Sequence, residues 1–472
     1  MRRAILARAR FALLLAALAL AFVAAGCADA GLRTAIANAE AKAAAARAGE
    51  VDALYAFMRK THPALFHHNS RDVIEAEVAR LRERAPQQSW PEYVVGVHRV
   101  LKLVGDGHTS VFPFPETGPG FDTRLPLLVE FFGDGTFVIG AEASYRDAVG
   151  ARLVAIDGHS LEDVYDVLES FWPHENAIWV RRWAPLLLRR PGYLVGSGLA
   201  RSANVAAPIT FTVKRPDGTV RDFAVAPVPA ATDEAAQSSS WVHAREDAKL
   251  ARPAPLHRTA LHRSNVPFDF AHLPKQRAVY AVYRQCEDSE HETVAAFAAR
   301  LFAFVEANDV DKLILDVREN GGGDNEKNEP LLAGLERSKL NRPGGLFVLI
   351  GRQTFSAAQN FATQAERRTQ ALFVGEPTGS APNHYGDAKQ FTLPISRLSV
   401  IVATKRWQDS DPADARFNLP PDLPAWDKFA DYVAGRDAAL EAALRYSAPA
   451  NAQPFEPRER WRTPREKQKR GD

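Results

Sequence analysis

The residues best placed to do chemistry lie in the stretch "GRQTFSAAQNFATQAE" (Gly351–Glu366). An apolar, strand-like run, "GGLFVLIG" (Gly344–Gly351), stops there, and a helix-like pattern begins just after Ser356. A hydroxyl between a buried strand and a helix start is exposed at a sheet edge, with helix N–H groups aimed at whatever sits beside it. That position suits a nucleophile with an oxyanion hole. It suits a plain N-cap serine equally well.

A second stretch, "LILDVRENGGGDN" (Leu313–Asn325), ends another strand in Asp316, Arg318 and three glycines. Glycines let bare N–H groups approach a ligand closely. The spacing fits neither a Walker A loop nor a G-x-G-x-x-G fingerprint, so a phosphate cradle is disfavoured. A backbone donor aimed at a developing oxyanion needs the same freedom; a tight turn between strand and helix needs it too. Asp316 and Arg318 read as residues that fix the loop by hydrogen bonding.

A serine needs a base. The nucleophile elbow G-x-S-x-G is absent, and no serine has a lysine three residues on. The best base is remote: His108 in "VGDGHTS" (Val104–Ser110). His384 is an alternative base, and Lys389 and Lys405 are weaker ones. His62, His67 and His68 in "HPALFHH" lack H-E-x-x-H or cysteine pairing and read as a loop between helices, so no metal is assigned.

These residues require an α/β frame. From Ala278, strand-like and helix-like runs alternate through "RAVYAVYRQ", "ETVAAFAARLFAFVEAN", "DKLILDVR", "NEPLLAGLERSK", "GLFVLIG", "SAAQNFATQAER" and "ALFVGEP". That alternation predicts crossover connections and a largely parallel sheet. "RLSVIVATKRW" adds a strand and "DKFADYVAGRDAALEAALRY" a closing helix. Earlier, three segments between Val51 and Val104 carry apolar residues at helical spacing, with Ser89 as the N-cap before "WPEY". Residues 125–228 show short strands and Asp-Gly turns, with "SLEDVYDVLESF" as a helix. This part resembles a PDZ-like module.

The chain has 472 residues, enough for two or three domains, and a net charge of +2 that gives no basic footprint for nucleic acid. Its start carries a basic segment and an apolar run, "FALLLAALALAFVAA", of signal-peptide length, closing on "AAGC" with Cys27. This resembles a bacterial lipobox, with Cys27 as the lipidated residue. Lipidation would leave Cys286 without a disulfide partner. The expected organisation is a signal peptide over 1–26, a tether over 27–50, a helical region over 51–124, the PDZ-like module over 125–230, a linker over 231–265, the α/β domain over 266–450 and a disordered tail over 451–472.

Four motifs in order, "LILDVRENGGG", "FSAAQNFA", "FVGEPTGSAPNHYGD" and "SVIVATKRW…PPDL", together with "LVGDGHTSVFP", resemble the S41 serine peptidases, the tail-specific and tricorn-like proteases. The resemblance covers roughly residues 50–445. It implies an α/β catalytic domain of ClpP/crotonase-like type, and no metal or organic cofactor. The tail-specific branch pairs its serine with a lysine; the matching position here is Ala381, so that dyad is missing. The tricorn-like branch uses a histidine, which His108 matches. The resemblance thus implies Ser356 as nucleophile and His108 as general base, with the N–H groups of Gly322, Gly323 and Ala357 as the oxyanion hole. The third member would be Asp414, with Asp409 and Asp411 as alternatives. The implied function is a serine endopeptidase in the bacterial cell envelope, facing the periplasm and held by lipid, with a peptide or protein as substrate; its PDZ-like module would bind an extended peptide by strand addition. The rival readings are an inactive S41-fold protein binding a peptide or hydrophobic ligand, and a PDZ-like scaffold.

Overall fold

The computed structural model describes residues 30–232, 241–245 and 266–454. The expected signal peptide, the lipidation site Cys27 and all but the first residues of the tail lie outside the described residues. No helix among those described is long and apolar enough to cross a membrane.

Helices Ala30–Thr61, Arg71–Arg84 and Trp90–Lys102 open the chain. The last is fixed at its start by a capping box: the Ser89 N–H donates to Glu92 Oε2 at 2.8 Å, and the Ser89 side chain accepts from the Glu92 N–H. Such a cap is worth about 1 kcal/mol. The helix buries Tyr93, Val94, Val97, Val100 and Leu101. It is followed by Gly105, at φ 82°, and by the His108 turn.

Directly after that turn, Ser110–Val111 forms a two-residue strand. It pairs antiparallel with Ser399–Val402, with Ser110 opposite Ile401, and Ser399–Val402 pairs in turn with Lys389–Thr392. The Ala403 N–H also donates to Thr109 Oγ1 at 3.2 Å. This small sheet carries His108 across to the C-terminal half of the chain. Leu393, Leu398, Val400 and Val402 share one continuous core with the N-terminal helices and the PDZ-like strands.

The PDZ-like part is a seven-stranded sheet built on Leu127–Phe132, Gly135–Ala141, Arg152–Ile156, Ile209–Lys214 and Val220–Val225. Helix Leu161–Phe171 has a Ser160–Asp163 capping box. Two further helices, Ala177–Leu187 and Pro191–Ser197, were not expected. Pro185 inside the first of them disguises it, since proline removes a helical donor. The expected linker also contains structure: Val242–His243 pairs with Gly140–Ala141.

The catalytic-type sheet is six-stranded. Phe268–Leu273 runs antiparallel to Ala278–Tyr283, and Ala278–Tyr283, Lys312–Asp316, Leu346–Ile350, Leu372–Gly375 and Leu423–Pro424 then follow in parallel. Every residue of Ala278–Tyr283 and Leu346–Ile350 is buried, as continuous apolar runs require when helices cover both faces. Helices Val294–Ala307, Glu329–Arg337 and Ala357–Arg368 cover one face, and Ala438–Arg445 covers the other. The expected single closing helix is two, Phe429–Ala434 and Ala438–Arg445, parted at Gly435 with φ 67°. "RLSVIVATKRW" likewise yields two short strands, Ser399–Val402 and Lys405–Gln408, in separate small sheets.

Candidate active site

Ser356 follows strand Leu346–Ile350 through a tight turn. The Thr354 N–H donates to Gly351 O at 2.8 Å, Thr354 Oγ1 donates to Val317 O at 2.9 Å, and the Phe355 N–H reaches Asn320 O at 3.2 Å. Ser356 itself has φ 53° and ψ −129°. A non-glycine residue held there costs on the order of 1–3 kcal/mol. Its side chain makes no capping hydrogen bond to the helix that follows. An N-cap serine has extended backbone and a bonded hydroxyl; Ser356 has neither, so the capping explanation fails.

The glycine loop lies against it. A Cβ on Gly322 would sit 2.6 Å from Ser356 Cβ and 3.0 Å from the Ala357 nitrogen, and Gly322 has φ 110°. Only glycine fits. Its amide, however, does not face the serine: it donates to Asn320 Oδ1 at 2.9 Å, while Asn320 Nδ2 donates to Tyr283 O at 2.9 Å. This corrects the expectation that Gly322 is an oxyanion donor, because its proton is already committed to a buried side chain. The loop is further held by the Cys286 N–H donating to Gly322 O at 3.0 Å and the Asp324 N–H donating to Cys286 O at 2.8 Å. Gly323 and Ala357 keep N–H groups with no protein acceptor among the described residues. Burial pushes the Cys286 thiol up to about 12, so it is inert at this edge. Asp316 and Arg318 hold the loop from beneath. Burial alone would raise the Asp316 carboxyl, but the Arg318 guanidinium overrides it and holds it down to about 2. Arg318 also pairs with Asp437 at 2.7 Å.

His108 enters from the other side. Its N–H donates to Asp106 Oδ1 at 2.8 Å, and Asp106 Oδ2 accepts from His62 Nε2 at 3.1 Å. His62 Nδ1 accepts from the Ala64 N–H, which assigns the proton to Nε2. The His108 ring stacks on Phe355, the residue before Ser356, with centroids 4.4 Å apart. Phe355 stacks in turn on Trp179 at 3.9 Å. On the far side of His108 lies His384, at 5.6 Å and 10°. Among the described residues neither His108 ring nitrogen, both buried, has a hydrogen-bond partner, and burial pushes the imidazole down to about 4. No hydrogen bond joins His108 to Ser356 among the described residues. The fold therefore brings His108 onto the ring of the residue that precedes Ser356 without joining the two side chains.

Asp414 is not in contact with this pair. It accepts from Ser410 Oγ at 2.6 Å and from Arg416 Nη2 at 2.8 Å, and Arg416 pairs with Glu366 at 2.7 Å. Its lone pairs are occupied there, which corrects its expected role as orienter of His108. Asp409 accepts from Asn360 and Gln364, and Asp411 caps its own turn through the Ala413 N–H at 2.8 Å. None of the three bonds an imidazole. His384 Nδ1 pairs with Ala381 O at 3.0 Å while Nε2 is unpartnered, and burial pushes the ring down to about 3. Lys389 and Lys405 are exposed, Lys405 lying over the Trp407 ring.

One residue escaped sequence reasoning. Glu175 stands just before the helix that carries Trp179, and its Oε2 accepts from Ser380 Oγ at 2.7 Å and from the Ala381 N–H at 2.5 Å. No motif surrounds it in "PHENAIW"; the only available signal was an acid beside an N-cap asparagine, Asn176.

No family model and no curated protein matches this chain. Among solved structures, mature CPAF aligns over 86% of this chain and 96% of its own, with 13% identity and a TM-score of 0.54. Mature CPAF complexed with lactacystin aligns over 86% and 97%, with 12% identity and a TM-score of 0.53. A putative S41 protease from Bacteroides fragilis overlaps at a TM-score of 0.30 and 14% identity, covering 68% of this chain and 82% of its own, and adds no weight. The likeness to CPAF covers 86% of this chain and nearly all of CPAF, so the chain shares the fold of mature CPAF, which stands beside the S41-like order of motifs in its sequence.

Proposed function

We propose that this protein is a serine endopeptidase that acts on peptides or proteins in the bacterial cell envelope, held there by lipid on Cys27. The observation that carries this reading is the strained Ser356, whose side chain makes no capping hydrogen bond, packed against a loop where only glycine fits. Strain of this kind persists only where the surroundings over-determine it, and it clusters at reactive sites. In the reaction, His108 turns off the Phe355 face and takes the proton of Ser356 Oγ as that oxygen bonds the scissile carbonyl carbon. The carbonyl oxygen becomes an anion between the Gly323 and Ala357 N–H groups. The imidazolium then gives its proton to the leaving amine, the C–N bond breaks, and water, activated by the same imidazole, releases the acid. The PDZ-like sheet supplies an edge for an extended peptide.

A fluorophosphonate probe tests this. Stoichiometric modification at Ser356 is expected, lost in Ser356→Ala and in His108→Ala. The absence of a bond between His108 and Ser356 favours a second reading, a peptide-binding protein that has lost catalysis; that reading holds if the probe leaves Ser356 unmodified even with peptide present.

A further inference from the structure

Around His108 the described residues hold several buried polar atoms with no partner: both His108 ring nitrogens, His384 Nε2 and Glu175 Oε1. The first three belong to imidazoles already weighed as bases. Glu175 is a different kind of group. It stands just before helix Ala177–Leu187, and its one bonded oxygen reaches into the turn that leads to His384. Ser380 Oγ and the Ala381 N–H both point at Oε2, and the carbonyl of the same Ala381 accepts from His384 Nδ1 at 3.0 Å. The Gly107 backbone, next to His108, also faces the carboxyl. Glu175 thus touches the two loops whose imidazoles stack on one another.

We infer that Glu175 is a positioning residue that fastens the Ser380–Ala381 turn, and with it His384, against the loop bearing the general base. The carboxyl does this as a neutral acid. The charged group that acts on it is Asp106, and the two loops it touches carry His108 and His384. Asp106 is of like charge, the two imidazoles are kept uncharged by burial, and no lysine or arginine bonds it among the described residues. Burial pushes the Glu175 carboxyl up to about 8. In the neutral form Oε2 is the carbonyl oxygen that accepts both bonds, and Oε1 carries the proton. A glutamine reproduces that pattern, its amide oxygen in place of Oε2 and its NH2 in place of the hydroxyl. An alanine does not.

The sign of the pH dependence follows. Between the ordinary carboxylate range and about 8, the folded protein holds a proton that the unfolded chain releases, so the clamp is complete at low pH and weakens as pH rises through that window. The inference depends on the hydrolase reading only for its catalytic consequence, so the experiment has two readouts. Hydrogen exchange of the peptide spanning residues 380–386, corrected for intrinsic rates, is followed from about pH 6 to about pH 9.5 in the full chain. Wild type should lose protection across this range by about tenfold or more, Glu175→Gln should keep it within about twofold, and Glu175→Ala should lack it throughout. Fluorophosphonate labelling of Ser356 is read in parallel, with the same order of variants expected. If Glu175→Ala does not fold, the contrast between wild type and Glu175→Gln decides alone. Equal, pH-independent protection in those two proteins overturns the inference. Protection that follows the expected order with no labelling in wild type overturns the hydrolase reading instead and leaves the clamp standing.

Discussion

The two halves of the candidate site are built on different principles. On the serine side nearly every backbone group is committed: Asn320 holds Gly322 and Tyr283, Thr354 holds Gly351 and Val317, and Arg318 braces the strand end from below. On the histidine side the side chain is held by ring stacking, and neither nitrogen has a hydrogen-bond partner among the described residues. Hydrogen bonds fix position and orientation; stacked rings fix distance but let planes slide. The serine is thus fixed in place, and the imidazole is adjustable.

The largest effect should come from filling the serine side. Gly322→Ala places a methyl 2.6 Å from Ser356 Cβ at a φ that alanine rarely adopts, and phosphonate labelling should vanish. If the variant labels at the wild-type rate, the two loops are not in register as described. Next, His108→Ala should slow labelling by about 100-fold or more, the usual worth of a general base. A drop smaller than about threefold would hand the role to another group, with His384→Ala as the decisive follow-up.

Phe355→Ala sharpens the contrast. Removing the ring between Trp179 and His108 frees the imidazole, so labelling should rise a few-fold even as the lost packing lowers stability by about 3 kcal/mol. A smaller effect of opposite sign is expected from Ser356→Gly, which abolishes labelling but raises stability by about 1 kcal/mol, because glycine relieves the positive φ. Chemical denaturation distinguishes this from a cap, whose loss would destabilise the helix. Smallest is a pH effect. His108 and His384 are pushed down to about 4 and about 3, so the unfolded chain binds more protons at mildly acid pH. Stability should fall as pH drops from about 6.5 toward 4, and less steeply in the His108→Leu variant.

The sheet was legible because its strands are unbroken apolar runs, which leave few alternatives once helices alternate with them. Ser356 was legible as a junction residue, but its left-handed backbone was not, since no side chain announces it. Three glycines announced a loop; only coordinates tell which amide has been taken by Asn320. Asp414 looked like the orienting acid from its place in the chain, yet Arg416 two residues on claims its oxygens. Glu175 was invisible because burial of a carboxyl is a tertiary property, written in "GSA" two hundred residues away as much as in "HENA".

The pairing of Ser110–Val111 with Ser399–Val402 also dictates when the protein can work. During synthesis the base-bearing turn leaves the ribosome early and waits, with no strand to dock on, until the chain has grown past Val402. Serine, glycine loop and imidazole therefore come together only after the strand Ser399–Val402 has been made. A truncated product ending before that point would keep Ser356 but lack the strand on which the His108 turn docks.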